Sequence, residues 1–416
     1  MRLPRLVQVE QQLHARRVGD ITDAVSRAWR ASGCGDRIRG RVAITVGSRG
    51  IDNLAAIVRA LADLVKQAGG KPFIIPAMGS HGGATPAGQA AVLASLGVTP
   101  KTVGAPLRAS MAAVKVGETR TGLPVYIARE ALSADGIIVL NRIKQHTDFA
   151  GDYESGLAKM LAIGLGKRLG AAAMHSRRCA SLREEIPPAA ALLLERAPVI
   201  AGFAILENGY HQTAEIVGLP PEMILSHEKV LLRRVRRTAA RLPFHELDLL
   251  IVDWIGKDIS GVAFDTHVIG RRMIWGEREF GGVSIELIAA LDLTPGSRGN
   301  GLGLGLADLV TERLVRKIDQ LALRTNVLHT NFLNRAKIPV TLPTDRALLR
   351  AAFVALGEPD PRKVRMARIA DTLQLGRIWI SESLLPEARR NARLRVIGDP
   401  TELKFDRKGD LERLPR

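Results

Sequence analysis

Short runs of consecutive apolar residues, each broken by glycine and followed by an amphipathic stretch, set the rhythm of the first half of this 416-residue chain. Residues 41–46 (R-V-A-I-T-V) and 71–76 (K-P-F-I-I-P) show no polar alternation, the pattern of strands buried on both faces of a parallel sheet. Each gives way to a glycine loop, G-S-R-G at 47–50 and G-S-H-G-G at 79–83, and then to a helical pattern. The spacing predicts a helix over 52–67 that stops at Gly69-Gly70, and a second helix that opens at Thr85-Pro86. An earlier amphipathic stretch, 18–33, ends on Gly33 as a C-cap. Residues 122–128, 134–141 and 199–209 read as further strands, with a helix over 187–195.

A strongly basic helix follows over 222–242, predicted as a solvated hinge or linker helix because one of its faces is a run of charge. A second α/β pattern begins with the strand 247–254 (L-D-L-L-I-V-D-W) and continues to strands at 365–370 and 376–381. Alternation of strands with helices argues an α/β fold of two domains with Rossmann-like parallel sheets. The expected division is 1–245, 246–393 and a polar tail, 394–416, able to pack back on the first domain. In such sheets ligands bind beyond the carboxyl ends of the strands. The glycine loops therefore bring Arg49 and His81 to one crevice, and strand 134–141 delivers Arg142, Lys144 and His146 to the same end. The plainer reading of His81 is a loop histidine that caps the next helix; its flanking glycines, which let a ligand approach the backbone, favour a functional role.

Composition narrows the classes. Hydrophobic residues make up 46% of the chain, enough for substantial cores, and no apolar run is long enough to span a bilayer. The first residues lack the apolar segment of a signal peptide, and there are only two cysteines, Cys34 and Cys179, so a cytoplasmic, reducing location is expected. The net charge of +18 invites a nucleic-acid reading. Against it, the basic residues are mostly scattered and aromatic residues are 4% of the chain, a poor supply of stacking platforms. An anionic small-molecule substrate accounts for part of the charge equally well.

The chemistry concentrates between Gln145 and His175. Lys159 stands among Leu157, Ala158, Met160 and Leu161, and a buried ammonium without a partner is costly, so such a lysine is paired, neutralised or covalently used. His175 lies sixteen positions further on. The chain has no H-E-x-x-H, C-x-x-C, G-x-S-x-G or Walker motif, which weakens metalloprotease, acyl-transfer and nucleotide-hydrolysis readings. The glycine-rich segment from Gly296 does not match the dinucleotide fingerprint, so a nicotinamide site is poorly supported.

At this point the residues resemble the nickel-dependent lactate racemase family, whose members use a nickel pincer nucleotide. The family's G-T-H-R loop is matched by Gly79-Ser80-His81-Gly82, and its T-R pair by Ser48-Arg49. The family segment P-H-[FY]-x-A-G-x-S-G-G-x-K is matched, with three extra residues, by His146 to Lys159. The family's count of sixteen from the lysine reaches His175, and a fainter K-D-I match falls at Lys257-Asp258-Ile259. The resemblance implies catalytic bases at His81 and His146, covalent cofactor attachment at Lys159, a nickel ligand at His175, cofactor contacts from Ser48 and Arg49, and substrate contacts from Arg49 and Lys257. It also implies an active site in the cleft between the domains and cofactor-synthesis proteins as partners.

The chain departs from the family where the acid and proline around the T-R pair become Val46 and Gly50, and where Gly82 replaces an arginine. The Gln-x-x-Lys pair after K-D-I is not recognisable. These changes point to a divergent branch with a substrate other than lactate. The expected activity is racemisation or epimerisation of a 2-hydroxy acid by proton-coupled hydride transfer. Two other readings stay open: a nicotinamide-linked hydroxy-acid dehydrogenase, and a basic nucleic-acid-binding module.

Overall fold

The computed structural model describes residues 2–176, 179–330 and 332–416, and the side chains of these apart from 179–181 and 329–330. Strand β1, Leu6–Gln11, opens the chain but belongs with its latest strands. The chain divides into two compact units, one of Ala15–Ala239 and one that joins Met1–His14 to Ala240–Arg416.

In the unit of Ala15–Ala239 a five-stranded sheet holds β2 (Arg41–Val46) between β3 (Lys71–Pro76) and β6 (Gly136–Arg142). Beyond β6 come β7 (Val199–Glu207) and β8 (Thr213–Leu219), giving the order β3-β2-β6-β7-β8. All neighbours are parallel except β7 and β8, which are antiparallel. A separate hairpin pairs β4 (Ala113–Glu118) with β5 (Pro124–Ala128). Val42, Ile44 and Val46 face the core that holds Val25, Ile57 and Leu61 of the helices Ile21–Ser32 and Leu54–Gln67, while Ala43 and Thr45 are buried on the opposite face. Burial on both faces explains the unbroken apolar runs. Helix ends follow local chemistry: Asp20 accepts from Asp23 N, Gly33 adopts φ 60°, and Thr85 caps Gly88 N ahead of Pro86.

The basic helix runs Ile224–Thr238, and it is not a solvated hinge. Ile224, Glu228, Leu231, Leu232 and Val235 are buried, so one face packs; Arg233 and Arg237 are exposed, while Arg234 and Arg236 are half-buried and pair with Glu215 and Glu154. The division between the units falls directly after it.

The second unit is built on an eight-stranded sheet. Its strands after β1 are β9 (Glu246–Ile255), β10 (Ser284–Leu293), β11 (Leu309–Thr311), β12 (Val340–Leu342), β13 (Met366–Ile369), β14 (Arg377–Ser381) and β15 (Leu394–Thr401), in the order β12-β11-β10-β9-β13-β14-β1-β15. The five from β12 to β13 are parallel, and the last three join antiparallel. Along β9, Leu250 and Val252 enter one core and Leu249 and Ile251 the other. The glycine-rich segment from Gly296 makes two short 3₁₀ turns between β10 and β11 and does not open a long helix.

The structure thus divides the chain differently from the sequence expectation of 1–245, 246–393 and 394–416. Residues up to His14 go with the later unit because β1 pairs with β14 and β15. The segment from Leu394 is a strand of that same unit, and its partly exposed residues explain why its pattern reads as polar. Among the described residues no helix is long and apolar enough to cross a membrane.

Asp253 of β9 is buried and takes both its oxygens to Arg368, at 2.8 and 2.7 Å. Removing one partner of a buried pair leaves an uncompensated charge. Arg368→Ala should therefore lower stability by about 3–5 kcal/mol, read as a reduced urea midpoint; a change within experimental error would show the pair to be dispensable.

Candidate functional site

Three loops leave the carboxyl ends of β2, β3 and β6, and the protein packs them onto one another. Gly47 follows β2; a Cβ there would come within 3.2 Å of Met160 Cε, so the loop lies close against the residue after Lys159. Gly79, after β3, donates its N–H to Gly164 O at 3.1 Å and has φ 58°. Asn141, near the end of β6, donates to Gly156 O at 2.9 Å. Residues 156–164 are thus clamped between all three loops.

Lys159 ends a single turn, Leu157–Lys159, and Met160–Gly164 continue as a π-helix. Such wide turns are rare and recur at functional sites. Lys159 is half-buried, and its Nζ lies 2.6 Å from His146 Nε2. The His146 ring stacks on Phe149, with centroids 4.4 Å apart, and its Nδ1 accepts the Asp148 N–H at 3.1 Å. A neutral ring that accepts at Nδ1 carries its proton on Nε2. That N–H can donate to Lys159 only when the lysine is a free amine, its nucleophilic form. The three extra residues between His146 and Lys159 therefore leave the two side chains in contact.

His81 sits in the G-S-H-G loop with its Nδ1 2.8 Å from Met78 O and 3.0 Å from Ser48 Oγ. A carbonyl only accepts, so Nδ1 donates and Nε2 is the basic nitrogen of the neutral ring. Arg49 is exposed and makes no hydrogen bond or ion pair with a described residue. Crowding by surrounding protein, and then the neighbouring Arg142 guanidinium, hold its pKa below the ordinary arginine value, while Asp148 works in the opposite sense. An unpaired guanidinium in that position suits an anion. Arg142 itself is engaged by Glu207 at 2.5 Å.

Two further expected residues stand on other elements. His175 is exposed at the end of the helix Lys167–His175. Lys257 belongs to the other unit, where it follows β9 and its N–H donates to Ser297 Oγ at 3.1 Å. Among the described residues no group of three or more His, Cys, Asp or Glu could hold a metal ion.

Residues 41–186 match the family described as the lactate racemase N-terminal domain, a span that contains Ser48, Arg49, His81, His146, Lys159 and His175. Over that span the chain is lactate-racemase-like. Among solved structures, the lactate racemase apoprotein from Thermoanaerobacterium thermosaccharolyticum is similar at 13% identity, with a TM-score of 0.52 over 88% of this chain and 94% of that one. A structural-genomics protein from Thermotoga maritima is similar at 12% identity, with a TM-score of 0.53 over 87% and 99%. At these identities the likeness shows the fold. No curated protein matches the sequence.

The unit of Ala15–Ala239 also holds polar residues with no strong signal in the sequence. The fully buried lysine of the stretch is Lys167 rather than Lys159; its Nζ donates to Pro76 O at 2.6 Å and to Gln89 Oε1 at 3.1 Å. Burial pulls its pKa down to about 8. Gln89 in turn donates to Gly79 O at 2.9 Å, which steadies the His81 loop. The only hint in sequence was the apolar and glycine company of Lys167, weaker than that of Lys159.

Glu228, on the basic helix, is buried and accepts the Ala158 N–H at 2.8 Å, capping the turn that bears Lys159. Burial pushes its carboxyl from 4.5 up to about 7, against the pull of the Ala158 and Leu157 N–H groups. The folded protein thus holds this proton more tightly than the unfolded chain, so its stabilising effect is complete below pH 4.5 and is lost as pH rises through 7. The loss amounts to at most about 3 kcal/mol. Glu228→Gln should flatten the decline in urea midpoint between pH 5 and 8; an unchanged slope would remove Glu228 as its source.

Proposed function

We propose that this protein is a nickel pincer nucleotide-dependent isomerase that racemises or epimerises a 2-hydroxy acid. The reading rests most on the contact between Lys159 Nζ and His146 Nε2 at 2.6 Å, beside the loops of Arg49 and His81. The residues suit the cofactor: an amine met by an imidazole in the arrangement that favours its nucleophilic form, an unpaired guanidinium for an anionic group, and one further imidazole. Lys159 would carry the covalent link, His175 would supply a single nitrogen to nickel, and Ser48 and Arg49 would contact the nucleotide. When bound, the cofactor supplies a hydride acceptor and donor at the substrate carbon.

The remaining work falls to the side chains. A carboxylate next to the reacting carbon opposes a carbanion, so the protein needs bases for the hydroxyl proton and not for the carbon-bound hydrogen. His81, with Nδ1 held by Met78 O, presents Nε2 as one base. With Lys159 taken up in the cofactor link, His146 would serve as the second base once its ring proton sits on Nδ1 and leaves Nε2 open to accept. Two bases are required because the hydroxyl points differently in the two stereoisomers. Arg49 would hold the substrate carboxylate. The small anionic substrate and the cofactor-synthesis proteins are the partners this reading requires, in a cytoplasmic setting.

Protein produced together with cofactor-synthesis enzymes should carry nickel and a mass adduct on the Lys159 peptide. Lys159→Ala should abolish the adduct, and retention of the cofactor by that variant would sink the proposal. His81→Asn should keep the adduct and lose isomerisation by about 10²- to 10⁴-fold. In D2O the product should retain the substrate's own hydrogen at the inverted carbon; deuterium incorporation there would point to simple deprotonation.

A further inference from the structure

The inner face of the helix Ile224–Thr238 reaches the segment between His146 and Lys159 at several points. Glu154, in that segment, is 1% exposed. One of its oxygens accepts the His146 N–H at 2.6 Å. The other accepts Gly151 N at 3.2 Å and the Arg236 guanidinium at 2.5 Å. Arg236 also donates to Gly151 O at 2.5 Å. Nearby, the Tyr153 hydroxyl donates to Leu225 O at 3.1 Å, and Lys229 pairs with Asp152 at 3.1 Å. Each of residues 151–154 is therefore tied directly or through a neighbour to the helix.

His146 depends on this anchoring. Its ring direction follows from its own backbone, from the Asp148 N–H on Nδ1 and from the Phe149 stack. The peptide nitrogen at the root of that arrangement is held by Glu154, and Glu154 is held by Arg236. A loop lengthened by three residues gains conformational freedom, which a buried carboxylate gripped from outside removes. Glu154 lies within the lengthened segment.

We infer that Arg236, acting through Glu154, is a positioning residue that aims the His146 imidazole at Lys159. The functional consequence rests on the isomerase reading above, whereas the geometry does not. A structural ion pair alone would loosen the unit generally; a positioning device moves His146 and leaves His81, on another loop, where it is.

The test uses the full chain with ¹⁵N-labelled histidine and two variants, Arg236→Gln and Arg236→Lys. Arg236 is one-third exposed, so both should fold. Arg236→Gln should shift the His146 ring nitrogen signals and leave those of His81 in place, with Arg236→Lys moving them back toward the original. In cofactor-loaded protein Arg236→Gln should lower kcat about 10- to 100-fold, with KM within twofold and the Lys159 adduct intact. Unchanged His146 signals in Arg236→Gln, or equal shifts at His81 and His146, would overturn the inference. Should the His146 signals move as expected while the unaltered loaded protein isomerises no 2-hydroxy acid, the positioning stands and the isomerase reading falls.

Discussion

A lysine amine resting against an imidazole is the contact around which this protein's first unit is arranged. With Nδ1 of the neutral ring accepting the Asp148 N–H, the contact at 2.6 Å is a compatible hydrogen bond when the lysine is a free amine. The parallel sheet supplies the place, since β2, β3 and β6 end together. The loops supply the partners, and the π-helix after Lys159 packs against two of them.

Maintaining that contact draws on buried residues both near it and far from it in sequence. Glu228 caps the turn of Lys159, Glu154 holds the His146 nitrogen, and Gln89 with Lys167 braces the loop of His81. Every one of these groups is buried, where a hydrogen bond is stronger and an unmet one costs more. Such an assembly is stiff, as the proposed pair of bases would require.

The strands nearest the site were legible because burial on both faces disfavours polar residues: β2, β3, β6 and β9 are each built round a run of apolar residues with few polar ones among them. The strands at the margins were not, since β15 alternates between partial and full exposure and β1 takes its identity from partners near the other end of the chain. The site divides the same way. Glycines beside Ser48, Arg49 and His81 are a local signal of loops that approach a ligand. Glu154 and Arg236 carry no such signal, because their pairing spans 82 positions and appears only when the helix folds back. The same distance made that helix look solvated, for its five buried residues are outnumbered by polar ones in the sequence.

The pairing of β1 has a consequence for how the chain reaches this state. During synthesis β1 emerges long before its neighbours β14 and β15. The unit of Ala15–Ala239 is complete on the ribosome long before then and contains all of its own strand partners. Its folding can be largely local in time, while the eight-stranded sheet waits with an apolar strand unpaired. Leu6, Val7 and Val9, buried at maturity, are through that interval an exposed sticky segment, and the cell's holding chaperones are the natural shelter for it.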